Sequence, residues 1–204
     1  LTQAKVGITG QGIRFTNSSN HLIDFEIESF DGITGTLTAW VEVPTVKHNE
    51  PTYFYIHYGK RDSTASTAAA VWAGNSYAVV NHLNNTPDSD NTSKEQVGSA
   101  GGVVGQSDDF NSQNMDSSNL VDGKIGKALS LNEASADDEL ICLENSTTSG
   151  GACNADTGTS VIFGSPVTVR TTSLWYKADE VVIADTRQVL FDEGGSTNGQ
   201  VIYL

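Results

Sequence analysis

The feature that most limits the fold of this chain is an alternation of apolar and polar residues in three consecutive segments near the N-terminus. In HLIDFEIESF, Ile23, Phe25 and Ile27 fall on one face of a strand, and the positions between them carry carboxylates. The segments GTLTAWVEVP and TYFYIHYG continue the alternation, and the turn sequence DGITG separates the first two segments. The pattern predicts an antiparallel pair followed by a third strand in a meander, within an all-β fold.

The composition is typical of an extracellular β protein and excludes two classes of partner. The 204 residues include 25 acidic and 11 basic residues, for a formal net charge of −14, and Ser, Thr, Asn and Gly are abundant. Such a surface repels both the phosphate backbone of nucleic acid and anionic lipid. No run of about 18 apolar residues is present, so we expect no membrane insertion.

The two cysteines, Cys142 and Cys153, lie on either side of a polar, Gly-rich stretch that can fold back on itself. In a Ser- and Thr-rich chain this arrangement predicts a disulfide formed in an oxidising compartment, which stabilises the fold by roughly 2–3 kcal/mol. A zinc site is a weaker interpretation, because no second pair of Cys or His lies at ligand spacing. Leu1 follows no leader, so we expect a mature product or a fragment.

The rest of the chain contains a helix, a long loop and further strands. DSTASTAAAVW predicts one or two helical turns that Asp62 or Ser63 caps. NSYAVVNHL predicts a strand, and residues 84–122 have the composition of a long loop. Further strands are predicted in GKIGKALSLN, DELICLEN, SPVTVRTTSLWYKAD, RQVLFDEGG and the terminal GQVIYL.

The segments IRFT, EIE, WVEVP, YIHYG, AVW and NHLN occur in this order between residues 10 and 83. This stretch resembles a bacterial domain of unknown function that precedes laminin-G-like modules in large secreted and surface proteins. The chain has Asn81 where that family often has Trp before HLN. The resemblance implies a bacterial protein that is exported through the periplasm and is secreted or held at the cell surface.

The later segments GKIGKALSLN, TTSLWYKAD and RQVLFDEGGSTNGQVIYL resemble the opening half of a laminin-G-like, concanavalin A-like jelly roll. The two resemblances imply a small antiparallel β domain over residues 1–83, followed by the front part of a β-sandwich over residues 84–204. The sandwich is then incomplete at its C-terminus. We therefore expect Val201–Leu204 to pair with further polypeptide, either a downstream segment or a strand that another subunit donates.

Catalytic residues are not expected. Glu26 and Glu28 share one strand face, as the paired carboxylates of concanavalin A-like glucanases do, but the E-x-D-x-E pattern is absent. We expect them to form a solvated strand face. No histidine lies at metal-ligand spacing from another, and His82 is expected to pack or to bond the backbone.

Calcium is a candidate cofactor because several loops contain closely spaced carboxylates. Asp88 and Asp90 in TPDSDNTSKE are the principal candidates, and QSDDF and SADDE are two further clusters. The resemblance adds to this hypothesis, since laminin-G-like modules often carry calcium at the rim of the sandwich.

Exposed aromatic side chains are the candidate ligand-binding groups, although no specific binding residue can be assigned. Trp40, Tyr53, Tyr55 and Trp72 could stack on sugar rings, and the alternative is that they pack between domains. The sequence thus predicts a non-catalytic extracellular or surface adhesion module that recognises carbohydrate or a surface protein. The alternative is a structural subunit of a filament or pilus-like assembly that strand exchange completes.

Overall fold

The computed structural model describes residues 1–59, 68–72, 77, 80–87, 110–113, 115–131, 139–143, 169, 171–178, 189–193 and 200–203, and the chain forms two compact units, Leu1–Pro166 and Val167–Leu204. The described elements of the first unit are α1 (Gln3–Val6), β1 (Arg14–Asn17), β2 (Leu22–Ile23), β3 (Phe25–Asp31), β4 (Thr36–Val41), β5 (Phe54–His57), α2 (Ala68–Trp72), β6 (Phe110–Gln113), a 3-10 helix (Ser117–Asn119), β7 (Leu120–Asp122), β8 (Lys127–Leu129) and β9 (Leu140–Leu143). The second unit contains β10 (Val189–Glu193) and β11 (Gln200–Tyr203).

The described strands pair in antiparallel fashion, which confirms the all-β class. The first unit contains a sheet with the order β2–β1–β5 and the pairs β3–β4, β6–β9 and β7–β8. In the second unit β10 pairs with β11. The predicted division into residues 1–83 and 84–204 and the jelly-roll topology stay predictions.

The apolar core lies between the β2–β1–β5 sheet and the β3–β4 pair. Its buried members come from α1, from the turn before β1, and from the first three strands: Val6, Ile13, Phe15, Ile23 and Phe25. Side chains on one face of β3 and β4 complete it: Ile27, Phe30, Leu37, Ala39 and Val41. Each fully buried aliphatic or aromatic side chain contributes about 1.5–3 kcal/mol. Phe25 and Ile27 of β3 therefore face the core, as the alternation of apolar and polar residues predicts.

A β-bulge interrupts the pairing of β3 with β4 at Glu28. Ile27 pairs with Ala39 and Ser29 with Thr38, so Glu28 is the extra residue on β3. The bulge changes the phase of the alternation, and Phe30 therefore returns to the core face opposite Leu37.

The turn DGITG joins β3 to β4, as predicted. Asp31 Oδ1 accepts hydrogen bonds from the amides of Ile33 (2.8 Å) and Thr34 (3.3 Å), and Thr34 Oγ1 donates to Asp31 Oδ2 at 2.6 Å. Gly35 takes a φ of 78°, a left-handed conformation that glycine adopts without strain. Hydrogen bonds, chiefly that from Thr34, lower the pKa of Asp31.

The predicted meander is wrong at its third strand. β5 pairs with β1, with Arg14 opposite His57 and Asn17 opposite Phe54, rather than with β4. The connection of residues 42–53 is long enough to carry the chain from one sheet to the other. A long connection removes the constraint that makes sequence neighbours pair in a hairpin.

The predicted helix is confirmed where the structure describes it, at α2, but the predicted loop over residues 84–122 is partly wrong. Its described C-terminal portion contains β6, the 3-10 helix and β7, while residues 88–109 lie outside the description. Asn119 holds this portion in place: its Nδ2 donates to the carbonyl of Ser130 at 2.7 Å and to Glu139 Oε2 at 2.9 Å. These bonds join residues that are distant in sequence, so composition alone did not indicate them.

In the second unit the predicted strands RQVLFDEGG and GQVIYL are present as β10 and β11. Residues 171–178, which include SLWYKA, adopt no regular secondary structure, so the strand predicted there is wrong. β11 has β10 as a partner on one edge, and a partner outside this chain stays a prediction. Within the described part of the chain, no helix combines the length and apolarity needed to cross a membrane.

Candidate functional site

The glutamates of β3 lie in a covered polar cluster on the side of the β3–β4 pair that faces away from the apolar core. The side chains of Glu26 and Glu28 are only 14% and 3% exposed. The prediction of a solvated strand face is therefore wrong. Trp72 from α2, His82 and the tip of the β7–β8 hairpin lie against this face and exclude water from it.

His82 lies between the two carboxylates, and its side chain is 4% exposed. His82 Nδ1 is 2.7 Å from Glu28 Oε2, which is a short, charge-assisted contact. His82 Nε2 is 3.2 Å from Glu26 Oε2, but among the described residues it has no partner in hydrogen-bonding alignment. The contact with Glu26 is therefore an ion pair, and the contact with Glu28 orients the imidazole ring.

Two indole N–H groups also donate hydrogen bonds to the carboxylates. Trp40 Nε1 donates to Glu28 Oε2 at 2.8 Å, and Trp72 Nε1 donates to Glu26 Oε2 at 2.7 Å. The Trp40 and Trp72 ring centroids are 5.4 Å apart, and each lies within 6 Å of the His82 ring. Tyr77 stacks edge-on against Trp72 at 5.3 Å. The aromatic rings enclose the charged groups, where each ion pair is screened less than it would be in water.

The cluster is charged around neutral pH. Burial by itself would lower the pKa of His82, but the attraction of Glu26 and Glu28 outweighs it and raises that pKa to about 9. Burial would likewise raise the pKa of each glutamate, yet the contacts with His82 and the indole donors lower both. The cluster is therefore an imidazolium between two carboxylates.

Gly126 closes the cluster from the β7–β8 hairpin. A Cβ atom at this position would overlap Glu28 Oε1 and would lie 2.9 Å from Glu28 Cδ. Its φ of 61° is also one that glycine favours. Glycine thus lets the hairpin backbone approach Glu28 Oε1, while Glu28 Oε2 contacts His82 and Trp40.

This arrangement is suited to holding elements together rather than to acid–base chemistry. A glycosidase needs one carboxyl group that keeps its proton and one ionised carboxylate, both open to a cleft. Here the pKa of each glutamate is lowered, and both groups contact side chains of this chain. Of the predicted aromatic ligand-binding residues, Trp40 and Trp72 belong to this cluster.

The tyrosines Tyr53 and Tyr55 are exposed instead, at 62% and 51%. Tyr55 lies on β5 opposite Thr16 of β1, and the alternation of the strand places Tyr53 and His57 on the same face. The Thr16 hydroxyl and His57 Nε2 form a hydrogen bond of 2.8 Å, which fixes the histidine ring beside the tyrosines. We call this surface, made of Tyr53, Tyr55 and His57, the tyrosine face.

The predicted calcium and disulfide sites lie at residues that the structure describes only in part or not at all. Asp88, Asp90 and Cys153 lie outside the described residues, and of Cys142 only the backbone, in β9, is described. Among the residues that are described, no group of three His, Cys, Asp or Glu side chains could hold a metal ion.

Sequence reasoning missed the pairing of His82 with the two glutamates. The available signal was the presence of Trp40 on the polar face of β4, where a large indole needs both cover and an acceptor for its N–H group.

Comparison with protein families finds one family that matches a large part of the first unit. Residues 9–122, more than half of the chain, match the family described as a domain of unknown function (DUF2341), and the chain belongs to that family. The match does not reach the segments that resemble a laminin-G-like jelly roll, and that resemblance stays a prediction. Searches of curated proteins and of solved structures gave no significant match.

Proposed function

We propose that this member of the DUF2341 family is a non-catalytic binding module of a secreted or surface-displayed bacterial protein, and that it binds carbohydrate through the tyrosine face. The observation that carries the proposal is the exposure of Tyr53 and Tyr55 on a sheet. Neighbouring aromatic residues that stay exposed on a soluble protein mark an interaction surface.

The geometry of the tyrosine face fits the chemistry of sugars. A pyranose ring has an apolar face that stacks on an aromatic plane, and its hydroxyl groups bond to phenol and imidazole groups at the edge. Tyr53 and Tyr55 are two residues apart, so about 6.6 Å separates their Cα atoms along a strand. This spacing is comparable with the length of one sugar unit, which lets two rings contact successive parts of a chain.

The buried cluster supports a role without catalysis. The paired carboxylates of β3 are ionised, covered and bonded to Trp40, Trp72 and His82. They are therefore not available as an acid and a base for a bound glycan.

A structural role is the second candidate. Each strand of the β10–β11 pair has only one partner among the described strands, so each has an edge at which a strand from another subunit could add. A filament subunit would form regular polymers under the electron microscope, which a binding module would not.

The binding proposal is tested by affinity electrophoresis of the whole chain through gels that contain soluble polysaccharides. We expect at least one polysaccharide to retard the chain, and the double variant Tyr53→Ala/Tyr55→Ala to lose about fivefold or more in affinity, since two stacked rings together contribute about 1–3 kcal/mol. Tyr176→Ala is the matched control, because Tyr176 is 53% exposed but lies in the second unit. Migration that no polysaccharide alters, or equal retardation of the double variant and the control, would contradict the proposal.

A further inference from the structure

β5 is an edge strand without the usual protection against pairing. Among the described strands only β1 pairs with it, and their register runs without a bulge from Arg14–His57 to Asn17–Phe54. Its sequence, FYIH, contains no lysine and no proline, the residues with which sheet edges are commonly blocked. The outer N–H and C=O groups of β5 can therefore accept another strand.

The apolar core is only half covered where it reaches β5. Ile56 pairs directly with Phe15, and the Phe54 ring lies 6.3 Å from the Phe15 ring, so Phe54 and Ile56 share the core face of the sheet. Phe15 is buried, but Phe54 and Ile56 remain 47% and 42% exposed. A neighbouring strand with apolar side chains on the same face would cover both.

We propose that β5 pairs edge to edge with β5 of a second copy of this chain, antiparallel and about a two-fold axis perpendicular to the sheet. With such an axis, side chains that lie opposite each other point to the same face of the joined sheet. Opposed residues must therefore both have odd numbers or both have even numbers. The pairing therefore centres on Tyr55 or on Ile56. Centred on Tyr55, the pairing places Phe54 of one copy opposite Ile56 of the other. Centred on Ile56, it places the two Ile56 side chains opposite each other and Phe54 opposite Tyr58. In either register two three-stranded sheets become one six-stranded sheet.

This edge is a part of the surface where two copies can meet without charge repulsion. The formal net charge of −14 makes two copies repel each other over most of their surfaces. The stretch PTYFYIHYG, residues 51–59, contains no Asp, Glu, Lys or Arg. Two copies can meet there without placing like charges opposite each other, which would be unfavourable in a strand pair.

The two-fold axis also brings the tyrosine faces of both copies onto the same side of the joined sheet. The dimer would then offer a platform twice as long to an extended glycan. This consequence depends on the proposed function, but the dimer itself does not.

The test is the association state of the whole chain by sedimentation velocity across the micromolar range. We expect a dimer for the wild type and an association at least about tenfold weaker for Ile56→Lys, because the lysine then lies on the apolar face of the shared edge, opposite either the other copy's lysine or its Phe54. Leu22→Lys is the matched control: Leu22 is 71% exposed on β2, the opposite edge of the same sheet, and this variant should dimerise normally. Circular dichroism and thermal melting check that both variants fold.

A mixture of Ile56→Lys and Ile56→Glu should restore a heterodimer, detected by native mass spectrometry, because the opposite charges then lie on the same face as directly opposed neighbours in the Ile56 register and as diagonal neighbours in the Tyr55 register. Hydrogen exchange of the wild type gives a readout without mutation: amides of β5 should exchange more slowly as concentration rises, and those of β2 should not. A monomeric wild type, an Ile56→Lys chain that dimerises as well as the control, or open-ended polymers would each overturn the two-fold pairing.

Discussion

Raising the pH should destabilise the first unit through His82. Its pKa is raised from 6.5 to about 9 in the folded chain, so the folded state binds the proton more tightly than the unfolded state. The resulting stabilisation is complete below pH 6.5 and is lost as the pH rises through 9. Over that interval the free energy of unfolding should fall, because the unfolded chain has released the proton that the folded chain still holds.

The magnitude follows from the same two values. The interval from 6.5 to about 9, at about 1.4 kcal/mol for each pH unit, gives roughly 3 kcal/mol. The Glu26 side chain is 14% exposed, and solvent near it screens part of its attraction to His82. We therefore expect the free energy of unfolding to fall by about 2–3 kcal/mol. This is a large share of the 5–15 kcal/mol that stabilises a typical domain.

Urea denaturation, followed by circular dichroism at a series of pH values, measures this loss. His82→Gln cannot carry the charge, so its free energy of unfolding should lack this component of the pH dependence. His48→Gln, which changes an exposed histidine, should retain the full slope. An equally steep fall in His82→Gln and in the wild type would refute the reasoning. So would an NMR titration in which the His82 imidazole loses its proton near its ordinary pKa.

Three further predictions concern the cluster and the core. Gly126→Ala should cost at least about 2 kcal/mol of unfolding free energy, because the added methyl group would overlap the Glu28 carboxylate. Gly59→Ala is the control: Gly59 has a φ of 109° and no atom within 4 Å of the added carbon, so this variant measures the backbone cost alone. Equal losses in the two variants would contradict the close approach of the hairpin to Glu28. Ile13→Ala should cost about 2–5 kcal/mol in the same urea assay, whereas Ile33→Ala, at a site 91% exposed, should cost well under 1 kcal/mol. On the acid side, the lowered pKa values of the two glutamates stabilise the fold above pH 4.5, and this contribution should be lost as the pH falls below 4.5. Replacing both by Gln should remove this contribution from the acid dependence of the unfolding free energy, while that of carboxylates such as Asp31 remains.

Local patterns in the sequence were sufficient for elements whose partners are close in the chain. The β3–β4 pair follows from alternation on either side of DGITG, where Asp31 caps the turn. The same holds for α2, since alanines favour a helix, and for β10 and β11. The pairing of β5 with β1 could not be predicted in this way, because its register depends on which sheet the long connection reaches.

The cluster escaped prediction for a different physical reason. A period of two residues assigns Glu26 and Glu28 to the side of the strand opposite the core, which is correct, but it equates that side with solvent. Whether the second side is covered depends on Trp72 and His82, which lie far along the chain. Of the four aromatic residues that the sequence suggests as sugar-stacking groups, Tyr53 and Tyr55 are exposed, whereas Trp40 and Trp72 belong to the cluster, and a period of two residues does not separate the two cases.

The extra residue in β3 has a consequence for how this family can vary. Phe25 and Ile27 occupy odd positions and Phe30 an even one, yet all three reach the same apolar side because Glu28 takes up one additional place. Deleting either Glu28 or Ser29 would restore unbroken alternation and leave Phe30 on the apolar side, whereas adding one more residue there would turn the Phe30 benzyl group outward. Chains of this family that lack the extra residue should therefore keep the same apolar side, because the extra residue serves the other side, where it supplies the carboxylate that contacts Trp40 and His82.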